Sequence, residues 1–379
     1  MAIVCDSIGE FGGAERVVLA LSEMFPEAPI YTSFTRRGVF LDKLKGKKIV
    51  RSWAHYIPFF PTKLHSPLRF LLPLIWGSFD FSRYDLVISS ASWYVTKGFG
   101  RKRGPVEICY CHTPPRWLYG YDTPLNVNKN ILVKVYVSLM AHFIRMYDFN
   151  AAQRVNYFVA NSKNVAARIE KFYRRDAKVI YPPVDVGHTT YNTQHRKRDY
   201  YLIVSRITGG KGIEMAVAAA NKLGVKLKIA GSPSGYSDTY DWVKKNGGPT
   251  IELLGFVPDS EVGELYAGAK AFLALERDVD FGMTPVEAQA QGTPVVAYNR
   301  GGYPESVVDT TYNTQHRQTG ILFDDYSVEG LVEAIKRFEK TKIDPEDCIK
   351  QAKKFSKERF VKEFKGLVRT LEKNLAAMQ

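Results

Sequence analysis

Ser205-Arg-Ile-Thr-Gly-Gly-Lys-Gly212 sets two cations, Arg206 and Lys211, five residues apart across a glycine-rich turn. Two fixed positive charges beside backbone N–H groups can hold a diphosphate. A solvated loop with incidental basic residues has the same composition, so the pair alone identifies no ligand. Asp280-Phe-Gly-Met-Thr-Pro-Val-Glu287-Ala-Gln-Ala-Gln-Gly292 offers a carboxylate near the start of a short predicted helix. There Glu287 can accept hydrogen bonds from sugar hydroxyls, or simply favour the helix N-terminus. Gly9-Glu-Phe-Gly-Gly-Ala-Glu15 opens a helix directly after the first predicted strand. Its glycines let a ligand approach the backbone, and the helix N-terminus favours an anionic group. The spacing is not G-x-G-x-x-G, so a dinucleotide site is poorly supported. Gly301-Gly-Tyr-Pro-Glu305 is a further glycine turn.

Elements of two kinds must position these residues. Apolar runs at 2–5, 85–89, 107–111 and 157–160 read as buried parallel strands, with helical spacing at 13–24 and 129–146. After Pro182-Pro183 the alternation restarts, with strands expected at 200–204, 226–230, 250–254, 271–275 and 294–297. Strands alternating with helices in both halves predict two doubly wound α/β, Rossmann-like domains, with ligands in a cleft at their strand C-termini. The expected boundaries are 1–182 and 183–354, with a C-terminal helix over 355–379. The 379-residue length fits two domains, and 45% hydrophobic with 13% aromatic residues excludes a disordered chain.

The formal charge of +14 is unevenly spread. Residues 1–180 hold 26 Lys+Arg and 13 Asp+Glu, a net of +13, which leaves +1 for the remainder. The first half is therefore expected to meet something anionic. No RNA- or DNA-binding motif is present, so nucleic acid is not the expected partner. Trp53–Trp76 mixes aromatic, aliphatic and cationic residues among four prolines, and 129–147 adds Lys134, His142 and Arg145 to an amphipathic pattern. Such segments suit an anionic membrane boundary, and equally suit packing against the first sheet. The expected acceptor is a glycan or polyprenyl-diphosphate-linked molecule, with Arg101, Lys102, Arg103 and Arg116 as candidates for its phosphates and Trp53 and Trp76 for the membrane. No run reaches 18 uninterrupted apolar residues, and the N-terminus enters a strand pattern directly. The expectation is a cytoplasmic protein, peripheral on the inner face of the cell membrane. Cys5, Cys109, Cys111 and Cys348 suit small buried thiols rather than a disulfide framework or zinc site. Thr-Thr-Tyr-Asn-Thr-Gln-His-Arg occurs identically at 189–196 and 310–317, read either as a duplication or insertion or as a shared recognition loop.

Seven motifs in order make the pattern specific. They are Gly-Gly-Ala-Glu15, Tyr-Cys-His-Thr-Pro-Pro-Arg116, Val-Ala-Asn161-Ser162, Tyr-Pro-Pro-Val-Asp185, Ser-Arg206 with Lys211-Gly, Gly255-Phe-Val-Pro, and Phe-Gly-Met-Thr-Pro-Val-Glu287. Together they resemble the retaining, GT-B-fold glycosyltransferases of family 4, and most closely mannosyltransferase-like bacterial and archaeal members. The resemblance implies transfer of a sugar from a nucleotide-diphosphate donor without a metal or other cofactor. It assigns the donor to the second domain and the acceptor to the first, with the C-terminal helix crossing back to the first. By the same resemblance Arg206 and Lys211 hold the donor diphosphate, and Gly12 and Gly13 approach the diphosphate or the reacting sugar. His112 corresponds to the active-site histidine. Glu287 reaches the nucleotide ribose, with Gly282, Met283 and Thr284 beside it. GDP-mannose is the leading donor, with UDP-sugars next.

One position departs from the family. A first glutamate, contacting the transferred sugar, is expected eight residues before Glu287, where Val279 stands. A natural variant, a deliberately inactivated protein, or substitution by Asp278 or Asp280 each accounts for it, and a glutamate restored at 279 is expected to raise transfer. A catalytically impaired nucleotide-sugar-binding protein and a GT-B nucleotide-sugar epimerase are the alternatives.

Overall fold

The computed structural model describes residues 1–101, 104–121, 131–187, 198–233, 238–312 and 317–376. Lys102, Arg103, the octapeptide at 189–196 and residues 313–316 of its second copy lie outside the described residues. The chain divides into two compact units. The first runs to Pro183 and resumes at Phe360; the second runs from Val184 to Arg359.

The first unit is built on β1 (Ala2–Cys5), β2 (Ile30–Thr32), β3 (Ile49–Arg51), β4 (Leu86–Ala91), β5 (Val106–Cys111), β6 (Tyr157–Ala160) and β7 (Ala177–Val179). They form one parallel sheet in the order β3-β2-β1-β4-β5-β6-β7. A parallel sheet is covered on both faces, which is why β1, β4 and β5 are buried almost throughout. Ile3, Ile88, Ile108 and Tyr110 pack with Val17, Val18 and Leu21 of the helix Gly13–Met24. Ala2, Val4 and Val87 face Phe34, Trp76, Met140 and Ile144. The helix Lys357–Ala376 adds Phe360, Phe364, Val368 and Leu371 to the first of these clusters, a stripe at helical spacing. Burial of each such side chain contributes about 1.5–3 kcal/mol, which ties the end of the chain to the first unit.

The second unit carries β8 (Tyr200–Val204), β9 (Lys226–Ala230), β10 (Ile251–Gly255), β11 (Ala269–Ala274), β12 (Val295–Tyr298) and β13 (Gly320–Phe323). This sheet is also parallel, in the order β10-β9-β8-β11-β12-β13. Tyr201, Ile203 and Leu273 pack with helices Ile213–Leu223 and Val328–Glu339 on one face. Leu202, Phe272 and Val295 lie on the other with Ala288 of the helix Met283–Ala290. In each sheet the strand order reverses once, between β1 and β4 and between β8 and β11. Loops leaving the C-terminal ends of strands on either side of such a reversal splay apart and leave room for a ligand.

Candidate active site

In the second unit the loop after β8 carries Arg206 and Lys211 and leads into the helix Ile213–Leu223. Gly210 and Gly212 take positive φ of 80° and 71°, which glycine alone adopts without strain. A Cβ at Gly212 would lie 2.6 Å from the Cβ of Leu275, so the loop is drawn tightly against the end of β11. From that end comes Glu276, whose Oε2 is 2.5 Å from Lys211 Nζ, with the side chains 14% and 22% exposed. The Glu276 N–H donates to Tyr303 Oη at 3.4 Å. The two loops flanking the β8/β11 reversal therefore meet through one ion pair. In the sequence Glu276 stands out only as one of three carboxylates, with Asp278 and Asp280, close to position 279 and out of register with it; its pairing with Lys211 is not legible there, although its position directly after an apolar run marks a strand end.

Gly282, at φ 84°, caps the helix Met283–Ala290, which begins with Met283 and Thr284. Glu287 falls one turn inside it rather than in its first turn, and its Oε2 accepts from Tyr266 Oη at 3.0 Å. Val279 is buried at 5% exposure among Tyr303, Ala288 and Val307. A Cβ at Gly301 would meet its Cγ1 at 2.7 Å, and one at Gly282 its Cγ2 at 3.3 Å. An apolar side chain at this position has turned into the core. A glutamate at 279 in this geometry would bury a carboxylate among apolar groups, at a cost in stability.

In the first unit Asp6 follows β1, and its carboxylate collects the loop that follows β4. It accepts from the N–H groups of Ser92 (3.5 Å), Trp93 (2.8 Å) and Tyr94 (3.3 Å), and from the Thr96 hydroxyl. Within that loop Val95 is held at φ 56°, a left-handed conformation a β-branched residue rarely adopts. Burial pushes the Asp6 carboxyl above its usual range, against the opposing pull of these hydrogen bonds.

His112 emerges from β5 beside the same loop, buried, with Nε2 2.8 Å from Ser90 Oγ. Its backbone carbonyl accepts from Asn161 Nδ2 at 3.0 Å. Burial lowers its pKa to about 3, so the imidazole is neutral near pH 7, with one ring nitrogen a donor and the other an acceptor. Gly12 and Gly13 stand at the start of the helix Gly13–Met24. The Gly12 N–H donates to Glu15 Oε2 at 3.0 Å, so in this state it caps its own helix. Glu15 is raised to about 7 by burial.

The basic and aromatic candidates separate. Arg116 opens a short helix four residues beyond His112, at the C-terminal end of β5. Arg101 precedes that strand, its N–H donating to Pro105 O at 3.3 Å. Six residues of strand at about 3.3 Å each put the ends about 20 Å apart, so Arg101 and Arg116 cannot serve one phosphate. Arg101 instead lines a cavity of about 330 Å³ with Arg154, Trp76, Phe79 and Phe99. Trp76 is a core residue at 3% exposure, its Nε1 donating to Tyr94 O at 2.8 Å, which corrects its assignment to a membrane surface. Trp53 is 41% exposed.

The helix Ile131–Arg154 buries Met140, Ala141 and Ile144 and exposes Ile131, Val135, Leu139, Phe143 and Met146, an outward stripe at helical spacing. Tyr136 Oη donates to Pro67 O, joining this helix to the 53–76 segment, where Tyr56, Phe59, Phe70 and Leu74 are also exposed. All four cysteines are buried, and burial raises the Cys5, Cys109 and Cys348 thiols. Among the described residues no three His, Cys, Asp or Glu side chains are assembled to hold a metal ion, and no helix is long and apolar enough to cross a membrane.

Two parallel-sheet α/β units of seven and six strands, each with its loops gathered at one reversal of strand order, define the GT-B glycosyltransferase fold. Residues 11–188 match the family model for Glycosyltransferase Family 4, and residues 191–355 that for Glycosyl transferases group 1. The chain belongs to the GT-B glycosyltransferases of family 4. A D-inositol 3-phosphate glycosyltransferase of Segniliparus rotundus is 27% identical over 197 residues, covering 45% of this chain and 41% of the relative. An alpha-1,3/1,6-mannosyltransferase of Candida glabrata is 23% identical over 380 residues, 84% of this chain and 80% of the relative. The crystal structure of Anabaena HepE in complex with UDP-glucose matches with a TM-score of 0.70 at 17% identity, covering 97% of this chain and 99% of that one. The chain spans between 39% and 55% of the length of the first three curated relatives it matches.

Proposed function

We propose that the protein transfers a hexose, with retention and without a metal, from a nucleotide-diphosphate sugar bound by the second unit to a glycan or lipid-linked acceptor bound by the first. The observation that carries the reading is the glycine-rich loop after β8, which brings Lys211 to the β8/β11 reversal with Arg206 on the same loop. Two fixed cations can neutralise a diphosphate leaving group in the role a divalent ion fills elsewhere. The mannosyltransferase relative favours GDP-mannose as donor, and the UDP-glucose complex keeps UDP-sugars next. Thermal unfolding in a panel of GDP, UDP, ADP and their common sugars tests this, because a ligand bound to the native state raises its stability. A rise with one base and its sugar supports the reading; no rise with any of them overturns it. Transfer insensitive to EDTA is the expected result for the metal-free mechanism.

The acceptor reading adds a membrane. Residues 51–79 and 123–147 hold six Lys or Arg and no Asp or Glu, and supply the outward apolar stripe of the helix Ile131–Arg154. Exposed apolar side chains in segments that carry Lys and Arg without Asp or Glu suit an anionic headgroup boundary. Co-sedimentation with phosphatidylglycerol vesicles, weakening as salt rises from low to physiological concentration, is expected; no binding at either salt overturns this part. The burial of Val279 favours one second reading, a protein that binds the donor but does not transfer it, recognised by nucleotide binding with neither transfer nor donor hydrolysis.

A further inference from the structure

Sugar donors carry their hexosyl group directly on the distal phosphate of the diphosphate. Whatever holds that phosphate therefore has the sugar as its immediate neighbour. In the second unit the ammonium available for the phosphate, Lys211, is in contact with a carboxylate, Glu276, 2.5 Å away. We infer that Glu276, held by Lys211, is the residue that accepts hydrogen bonds from the hydroxyls of the transferred hexose; this rests on the donor reading above.

Three observations carry the inference. First, the pair bridges the loops on the two sides of the β8/β11 reversal, at the C-terminal ends of the strands, where a doubly wound sheet binds its ligand. Second, the valences allow both partners to be shared. An ammonium has three donors and a carboxylate about four acceptor directions, so Lys211 can keep Glu276 while it meets a phosphate, and Glu276 can keep Lys211 while it meets hydroxyls. Third, the position expected to supply the sugar-binding carboxylate cannot. Val279 is packed between Gly282 and Gly301 inside the core, three residues beyond Glu276 on the same loop. Glu276 is the carboxylate of this loop held by the cation of the facing loop.

A pure counter-ion is the rival role: Glu276 would then occupy the diphosphate's place and have to leave before the donor binds. The two roles give opposite results in Glu276→Gln, which keeps size and loses charge. Kd values for GDP and GDP-mannose, and for UDP and UDP-glucose, are measured by calorimetry on the full chain. If Glu276 reads the sugar, the variant binds the sugar nucleotide at least tenfold more weakly and the parent diphosphate within threefold of the unchanged protein. Equal weakening of both means that Glu276 only orients Lys211, and tightening of both means that it only blocks the site; either result overturns the inference while leaving the donor reading intact. If Glu276→Gln does not fold, as judged by its ligand-free thermal transition, Glu276→Asp carries the same comparison with a shortened carboxylate. An unchanged protein that binds none of the four ligands overturns the donor reading and this inference together.

Discussion

The two units solve the same topological problem with different bonds. At the β1/β4 reversal a carboxylate, Asp6, reaches across and takes three backbone N–H groups and a hydroxyl from the loop after β4. At the β8/β11 reversal two side chains, Lys211 and Glu276, meet from opposite loops. Backbone amides bound to one buried carboxylate cannot be exchanged without refolding the loop. A lysine and a glutamate can each add or change partners by turning a side chain. The first junction is therefore architecture, and it holds Val95 in a strained conformation worth about 1–3 kcal/mol. The second is the kind of junction a ligand can enter.

The largest expected effect follows from removing the fixed junction. Asp6→Ala leaves three N–H groups and a hydroxyl without their acceptor and releases Val95. At about 1–3 kcal/mol for each buried donor left unpaired, partly relaxed, the loss is about 3–5 kcal/mol of stability, read from the urea midpoint. A loss below about 1 kcal/mol would make the two junctions alike and remove the contrast.

The next effect depends on pH. Glu15, raised to about 7 by burial, binds its proton more tightly in the folded chain than in the unfolded one. Its contribution is therefore fully favourable below the unfolded value, near 4.3, and is lost as pH rises to about 7, by up to about 4 kcal/mol. His112 has the opposite sign: with a folded pKa of about 3, its contribution is complete above pH 6.5 and is lost as pH falls. Glu15→Gln should flatten the stability curve between pH 4.5 and 7 and leave the acid limb unchanged. A curve unaltered between those values would show that the carboxyl titrates as if exposed.

Much of this layout is legible in the sequence, and the gaps have physical causes. The runs at 2–5, 157–160 and 200–204 coincide with β1, β6 and β8, because four or five mostly buried apolar residues in a row have few other uses, and 226–230, where Lys226 and Lys228 alternate with apolar residues, coincides with β9. β2, β3 and β7 are three residues each, too short to leave a pattern, and β13 begins at a glycine that weakens its own signal. The glycine turn with Arg206 and Lys211 could be read because backbone constraint and charge appear in the same few letters. Asp6, Ser90 and Glu276 could not, since each acts on a residue at least 22 positions away and only the sheet order brings the partners together. Trp76 fails for a related reason: beside leucines and prolines its composition suits a membrane surface, and only its hydrogen bond to Tyr94 O reveals a core residue.

The smallest expected change in stability belongs to the exchangeable junction, and its smallness is the point. Lys211→Met removes the charge and keeps most of the side chain's length. The ion pair is partly exposed, at 22% and 14%, so its contribution lies nearer that of surface pairs than of fully buried ones, about 1 kcal/mol. A double-mutant cycle with Glu276→Gln should return a coupling of that size, well below the cost of Asp6→Ala. Binding should respond in the reverse order. Loss of an ammonium from a diphosphate site removes a charge-assisted hydrogen bond that folding does not need, so Lys211→Met is expected to weaken GDP or UDP at least tenfold in calorimetry while unfolding within a few degrees of the unchanged protein. A variant that loses stability and binding in parallel would make Lys211 a structural residue like Asp6. A variant that loses neither would leave Arg206 as the cation that matters. Only loss of binding with stability kept sets the second junction apart as the one built to take a ligand.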